Sequence, residues 1–337
     1  MSSRKRRLGR TGLYLTELGF GAAPIGNLYR PLPDADVEAL LESAWAAGLR
    51  YFDTAPLYGF GLSETRLGRF LQTKPRDEFV ISTKVGRLLK PNAGWHEQRD
   101  AFIDAAPFEP VYDYSYDGVM RSVEESLQRL GLAEIDIALM HDIGTATHGE
   151  AHPEKMRLAM TGGYRALDVL RDEGRLRAIG IGANEWEVCA EAMNHGRWDA
   201  FLLAGRYTLL EQEPLDTFFP LCAKAGVGLV IGGAFNSGIL ATGPVDGAHF
   251  NYGNAPAEVV ARVRRLDEIC RAHGVPLPAA ALQFPRAHPL VASVIPGVAT
   301  KTELSSAMDW AARKIPAALW SDLKAEGLLS PGAPVPA

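Results

Sequence analysis

Eight short apolar runs, separated by stretches with helical spacing, constrain this chain more than anything else in it. The runs lie at 18–23, 51–54, 79–84, 135–140, 176–182, 201–205, 227–231 and 292–295. Between them apolar residues recur on one helical face, as at Val37, Leu40, Leu41, Ala44 and Trp45, and again at Val119, Val123, Leu127 and Leu130. Strands that alternate with helices predict a parallel sheet. Eight such units in 337 residues predict an α/β fold, a closed (β/α)8 TIM barrel. A doubly wound open sheet is the alternative. It would want a G-x-G-x-x-G after a strand, and the sequence has none. Ahead of the first strand, residues 5–18 read as a short β-hairpin with Thr11 and Gly12 at its turn. No linker interrupts the pattern, so residues 1–337 are expected to form a single barrel domain.

Composition narrows the function classes. Hydrophobic residues make up 47% and charged residues 22%, as expected of a soluble protein with a large core. A net charge of -5 argues against a general nucleic-acid binder. No apolar run approaches the ~18 residues of a membrane span. The basic start, MSSRKRRLGRTG, has no apolar segment behind it and does not read as a secretory signal. The cysteines, Cys189, Cys222 and Cys270, are widely spaced with no C-x-x-C, and no spacing suits a metal. They read as buried thiols of a reducing, cytoplasmic compartment.

In a barrel of this kind the C-terminal strand ends form the active face. The polar residues there are Asp53 and, five residues on, Tyr58; Lys84; His141; and Asn184. Each has a plain structural reading alone, as a helix cap, an exposed strand end or a hydrogen-bonded histidine. Neighbouring strands of a closed barrel, however, point their ends at one mouth. A phenol, with an ordinary pKa of about 10, is too weak an acid for proton transfer near neutrality. An adjacent ammonium lowers that value, and a carboxylate keeps the ammonium charged. A histidine can donate to a substrate oxygen beside the phenol. No nucleophile, metal cluster or carboxylate pair accompanies the group, so it suits proton transfer coupled to hydride exchange with a nicotinamide. Residues 86–114 and 143–157 read as long polar loops, and long loops are usually functional.

The motifs LGRTGL (8–13), LGFGAAPIG (18–26), GLRYFDTAPLYG (48–59), SETRLG (63–68), STKVG (82–86), SLQRLGLAEIDIALMHD (126–142), GRLRAIGIGAN (174–184) and VIPGVATKTEL (294–304) occur in order along almost the whole chain. Through them the chain resembles the aldo-keto reductases. The resemblance implies an NAD(P)-dependent oxidoreductase acting on CH–OH. It implies the catalytic tetrad Asp53, Tyr58, Lys84 and His141, with Tyr58 as general acid and base. Cofactor contacts are implied at Gly21, Ala22, Asp53, Asn184, Phe235, Asn236, Ser237, Gly238, Leu240, Pro296, Gly297, Thr300, Lys301 and Glu303. The sequence departs from the family in three places. Ala183 stands for a serine that contacts the carboxamide, Ala204 for a glutamine, and Gly232 for an aromatic that stacks on the nicotinamide. Some other group must then cover that ring, or the ring is held loosely. Glu303 suits a ribose 2′-OH and repels a 2′-phosphate, which favours NAD. Lys301 leaves NADP open.

The phrases FGAAPIGNLYRP, FDTAPLYGFGLSE, VYDYSYDGVMRSVEESLQRLG, HDIG and FNSGILATG are most similar to a bacterial subgroup of the family. That subgroup oxidises aldoses of the L-fucose (D-threo) type at C1, giving a lactone. Pyridoxal oxidation at its 4-position is the neighbouring reading, and general aldehyde or ketone reduction another. Substrate contacts are expected at Tyr58, His141, Asp142 and Trp95, with His96, Asn27 and Tyr114 also available on the loops. The partner is then a small sugar or aldehyde, not a nucleic acid or a membrane. A non-catalytic binding or regulatory subunit of the same fold is the alternative of another class, and the intact tetrad argues against it.

Overall fold

The computed structural model describes residues 4–92 and 101–336. Eight parallel strands form the central sheet: β1 (Phe20–Gly21), β2 (Tyr51–Asp53), β3 (Val80–Val85), β4 (Ile137–His141), β5 (Ala178–Ala183), β6 (Ala200–Ala204), β7 (Gly228–Gly232) and β8 (Val291–Ile295). Each pairs with the next in chain order. The ring closes between its ends. Gly19 N–H donates to Val294 O at 3.0 Å, Val294 N–H to Glu17 O at 2.9 Å, and Gly21 N–H to Pro296 O at 3.1 Å. The expected (β/α)8 barrel is the observed architecture.

The N-terminal hairpin, Lys5–Arg7 paired with Tyr14–Thr16, explains which end of the barrel is available for chemistry. Its Leu8, Leu13 and Leu15 are buried against Tyr51, Val80, Ile137, Ala178 and Ala200. These are the residues on which the strands begin, so the hairpin plugs the N-terminal end. Burial of each leucine contributes roughly 1.5–3 kcal/mol. The opposite end, where Asp53, Lys84 and His141 lie, is left to the loops.

Two of those loops differ from expectation. The connection 86–114 contains a ladder, Arg87–Pro91 antiparallel to Phe108–Tyr112, which buries Leu88 and Leu89. Its prolines sit at ladder positions where an edge strand tolerates them, and they disguise it as loop. Trp95 and His96 lie outside the described residues. The segment 143–157 is largely helical, with Thr145–His148 followed by His152–Leu158. Pro153 is the second residue of the latter helix, in the first turn, where its missing N–H costs nothing. Asp34 is the first residue of the helix Asp34–Ala46, with Pro33 at the N-cap. Its carboxylate binds Arg66 at 2.7 Å and Arg69 at 3.3 Å. After β7 the chain makes a short helix, Ile239–Thr242, and a small ladder, His249–Phe250 with Gly253–Asn254. No helix among the described residues is long and apolar enough to cross a membrane.

Candidate active site

The site is built outward from β2 and β3. Asp53 ends β2 and Lys84 lies on β3, both with side chains only 2% exposed. Lys84 Nζ donates to Asp53 Oδ2 at 2.7 Å and to Thr54 O at 2.9 Å. The other carboxylate oxygen accepts from Ser82 Oγ at 2.7 Å, and Tyr51 OH lies 2.9 Å from Ser82 Oγ. Burial opposes the lysine's charge, but Asp53 and Tyr58 outweigh it and hold the ammonium above its ordinary range.

Tyr58 is delivered by the loop leaving β2. Its Cα carbonyl end crosses Gly26 so closely that a Cβ there would lie 2.7 Å from Tyr58 C, and Gly59 turns with φ +63 against Gly26 O. A side chain at either glycine would push the tyrosine away. Lys84 Nζ stands 4.7 Å from the Tyr58 ring centroid, and His141 meets the same ring edge-on at 6.3 Å. Burial raises the phenol's pKa, Lys84 pulls it down, and Asp53 adds to the rise, so the net shift is upward. The lowering expected from the lysine is present but is outweighed by desolvation. The phenol is therefore protonated at neutral pH.

His141 ends β4 and is neutral. Burial, then Arg87 and Lys84, push its imidazole well below the ordinary range. Its Nδ1 has no partner among the described residues, and its Nε2 lies 3.4 Å from Asp142 Oδ2. Asp142 adopts a left-handed φ of 44° and is paired with Arg87 at 2.5 Å. Burial lifts its carboxyl above the usual range against the pull of Arg87 and Lys84. Tyr114 OH donates to His141 O at 2.8 Å and so fixes the strand end, while lying 3.0 Å from His148 Nε2. Asn27 is drawn away from the centre: its Oδ1 accepts from Arg66 Nη1 at 2.8 Å and from Leu32 N–H at 3.0 Å.

The expected cofactor residues lie along the same rim. Asn184 follows β5, and its carbonyl accepts from Arg206 Nε at 2.5 Å. Ala183 is buried and offers no hydroxyl. Gly21 lies against the backbone of β8's end, where a Cβ would meet Ile295 O at 3.0 Å, and Ala22 N–H donates to Asp53 O at 2.9 Å. Asn236 and Ser237 both take left-handed φ, and Asn236 Oδ1 is buried without a partner among the described residues. Gly238 precedes Ile239–Thr242 at φ +102. Phe235 packs on Trp310, and Leu240 is fully buried, so its side chain packs in the core. Pro296 and Gly297 close the barrel beside Pro24. Thr300 caps the helix Lys301–Ala312 by accepting from Glu303 N–H at 3.1 Å. Glu303 accepts from Ala299 N–H at 2.6 Å and pairs with Arg30 at 2.8 Å. An orphaned amide oxygen, an open left-handed loop and an exposed helix start suit a dinucleotide that runs from the barrel mouth to the rim. Residues here fit that group.

Three contributors went unread in the sequence. Arg87 is a lone charge in the apolar text VGRLL, and that contrast is a usable signal. Arg30 places a cation beside Glu303 from a distant loop. Arg206 gathers Asn184, Glu211 and Asn251. Neither of the last two has a local signal. Among the described residues no group of three His, Cys, Asp or Glu could hold a metal ion. The cysteines are free and buried, and burial pushes the Cys222 and Cys270 thiols up to about 12.

Residues 17–325 match the aldo/keto reductase family. The chain is 46% identical to pyridoxal 4-dehydrogenase of Microbacterium luteolum, over 98% of this chain and 99% of that one. It is 44% identical to D-threo-aldose 1-dehydrogenase of a Pseudomonas species, again over 98% and 99%. In fold it is similar to the holo form of aldo-keto reductase AKR11C1 from Bacillus halodurans, with a TM-score of 0.75, 24% identity and coverage of 97% and 96%. A phenol, a buried ammonium and a neutral imidazole at one barrel mouth agree with these likenesses, and the chain belongs to the aldo/keto reductase family, oxidoreductases that use NAD(P)H.

Proposed function

We propose that the chain oxidises an aldose of the L-fucose (D-threo) type at C1 to its lactone, passing hydride to NAD(P). The observation that carries this reading is the conjunction at the mouth. The Tyr58 phenol lies against Lys84 and His141, and the buried Arg87–Asp142 pair stands beside them. The nicotinamide supplies the hydride acceptor. Tyr58, as phenolate, takes the anomeric hydroxyl proton while the C1–H pair leaves as hydride and the C–O bond becomes a carbonyl. Lys84 favours that phenolate. Neutral His141 donates its N–H to the substrate oxygen and keeps it aligned. Asp142, held by Arg87, accepts from the hydroxyl on the neighbouring carbon. An aldose closes its own hydroxyl onto C1. Pyridoxal carries a hydroxymethyl group beside its aldehyde and a phenol on the other side. Both therefore present a ring CH–OH with a neighbouring hydroxyl, and the 46% identity to pyridoxal 4-dehydrogenase favours pyridoxal as the second reading.

NAD is the proposed dinucleotide, from Glu303 at the helix start. Because Arg30 balances that carboxylate, the preference over NADP is expected to be small. The test is cofactor reduction followed by absorbance with L-fucose, D-arabinose, L-galactose and pyridoxal, each with NAD and with NADP. Sugar-dependent reduction supports the aldose reading. Turnover of pyridoxal alone moves the substrate, and inertness toward every alcohol and aldehyde sinks the enzyme reading.

A further inference from the structure

The ladder His249–Phe250 with Gly253–Asn254 takes no part in the chemistry above, yet it is tied to the site from two sides. Tyr252 N–H donates to Ser237 Oγ at 2.9 Å, and Arg206 Nη2 donates to Asn251 Oδ1 at 2.9 Å. The same Arg206 holds the Asn184 carbonyl. Asn251 and Tyr252 form the tip, with φ of 48° and 66°. Tyr252 is the most exposed large hydrophobic side chain described, at 64%. Its hydroxyl is within electrostatic reach of Tyr58, Asp142, Tyr29 and Arg206. Tyr29 is itself 53% exposed and is anchored by its N–H to Ala101 O at 2.8 Å. At the strand end below, Gly232 leaves room: a Cβ there would meet nothing nearer than Leu202 Cδ2 at 3.4 Å.

We infer that Tyr252 is the outer wall of the substrate site, stacking on the face of a bound ring, with Tyr29 opposite it across the mouth. The substrate so recognised is a ring with one apolar face, a pyranose or a pyridine, which rests on the reading proposed above. An aromatic plane buries such a face at little entropic cost and offers a hydroxyl at its edge. The Ser237 bond ties the placement of this wall to the loop expected to close over the dinucleotide.

The test compares Tyr252→Asn, a residue that suits the left-handed backbone, with Tyr252→Phe, Tyr252→Trp and the remote control Tyr14→Asn. KM and kcat are measured for L-fucose and pyridoxal and for open-chain glyceraldehyde. Binding of the lactone product to the enzyme–NADH complex is followed by nicotinamide fluorescence. Tyr252→Asn is expected to raise KM for the ring substrate about three- to tenfold and to weaken lactone binding equally. It should lower the ring-to-open-chain selectivity ratio by the same factor, while Phe and Trp restore all three. An unchanged KM and lactone affinity in Tyr252→Asn, with the wild type active on ring substrates, overturns the wall alone. A wild type that turns over only open-chain substrates overturns the functional reading and the wall with it.

Discussion

Thr83 and Lys84 are consecutive on β3, and each holds a buried carboxylate on an opposite face of the barrel wall. Outward, Thr83 Oγ1 donates to Glu64 Oε1 at 2.7 Å, and Arg129 Nε reaches Glu64 Oε2 at 2.5 Å. Arg129 also donates to Ser126 Oγ at 3.1 Å. The cluster pins the helices Leu62–Leu71 and Tyr116–Leu130 to the strand. Inward, Lys84 meets Asp53 and Thr54 O and still faces Tyr58. Each cluster pairs a buried carboxylate with a cation, although Arg129 is 18% exposed and Lys84 only 2%. They differ in closure: the outer carboxylate spends its oxygens on fixed donors between packed helices, whereas the inner ammonium keeps one side for a reacting group. A buried ion pair is weak evidence of stability by itself. Its free side is what distinguishes a working pair from a structural one.

Breaking each pair separately tests that difference. Lys84→Met should have the largest effect, lowering turnover by roughly 10²–10⁴-fold. Oxidation needs the phenolate, so its rate rises with pH toward the phenol's pKa. Without the lysine's pull that value climbs, and the remaining activity moves to higher pH. A wild-type pH–rate profile in this variant breaks the account of the inner pair. Arg129→Met leaves Glu64 buried without its cation and should cost about 3–5 kcal/mol in denaturant unfolding. The folded fraction should keep the wild-type kcat and pH profile; a shifted profile would mean that the two clusters are not separate. Asp142→Asn sharpens the comparison at the mouth and has the smallest effect, roughly a tenfold rise in KM for the ring substrate with kcat less affected. Equal loss in kcat and KM for an open-chain aldehyde would mean that Asp142 does not read a neighbouring hydroxyl.

The barrel was legible because its signals are local and periodic. Each strand is a short apolar run, and each helix carries a repeating face. Asp53, Tyr58, Lys84 and His141 were legible because strand ends converge whatever the loops do. The loops were not. The prolines at 91 and 110 hide a ladder, since sequence does not say which side of an edge strand faces solvent. In the sequence Glu303 suits a ribose 2′-OH and repels a 2′-phosphate, but its charge is shared with Arg30, 273 residues away. The sign of the Tyr58 shift was misread for the same reason. The lysine's pull is visible in the sequence, whereas burial depends on how residues such as Phe102 pack over the ring from a loop. Tyr252 looks like an ordinary turn residue until Ser237 and Arg206 place it.

The central claim is that Tyr58 moves the proton while other residues bind. It is tested most directly by Tyr58→Phe, assayed for turnover and titrated with dinucleotide by fluorescence. The account predicts turnover reduced by at least about 10²-fold with the cofactor dissociation constant unchanged. Wild-type turnover in that variant would contradict it.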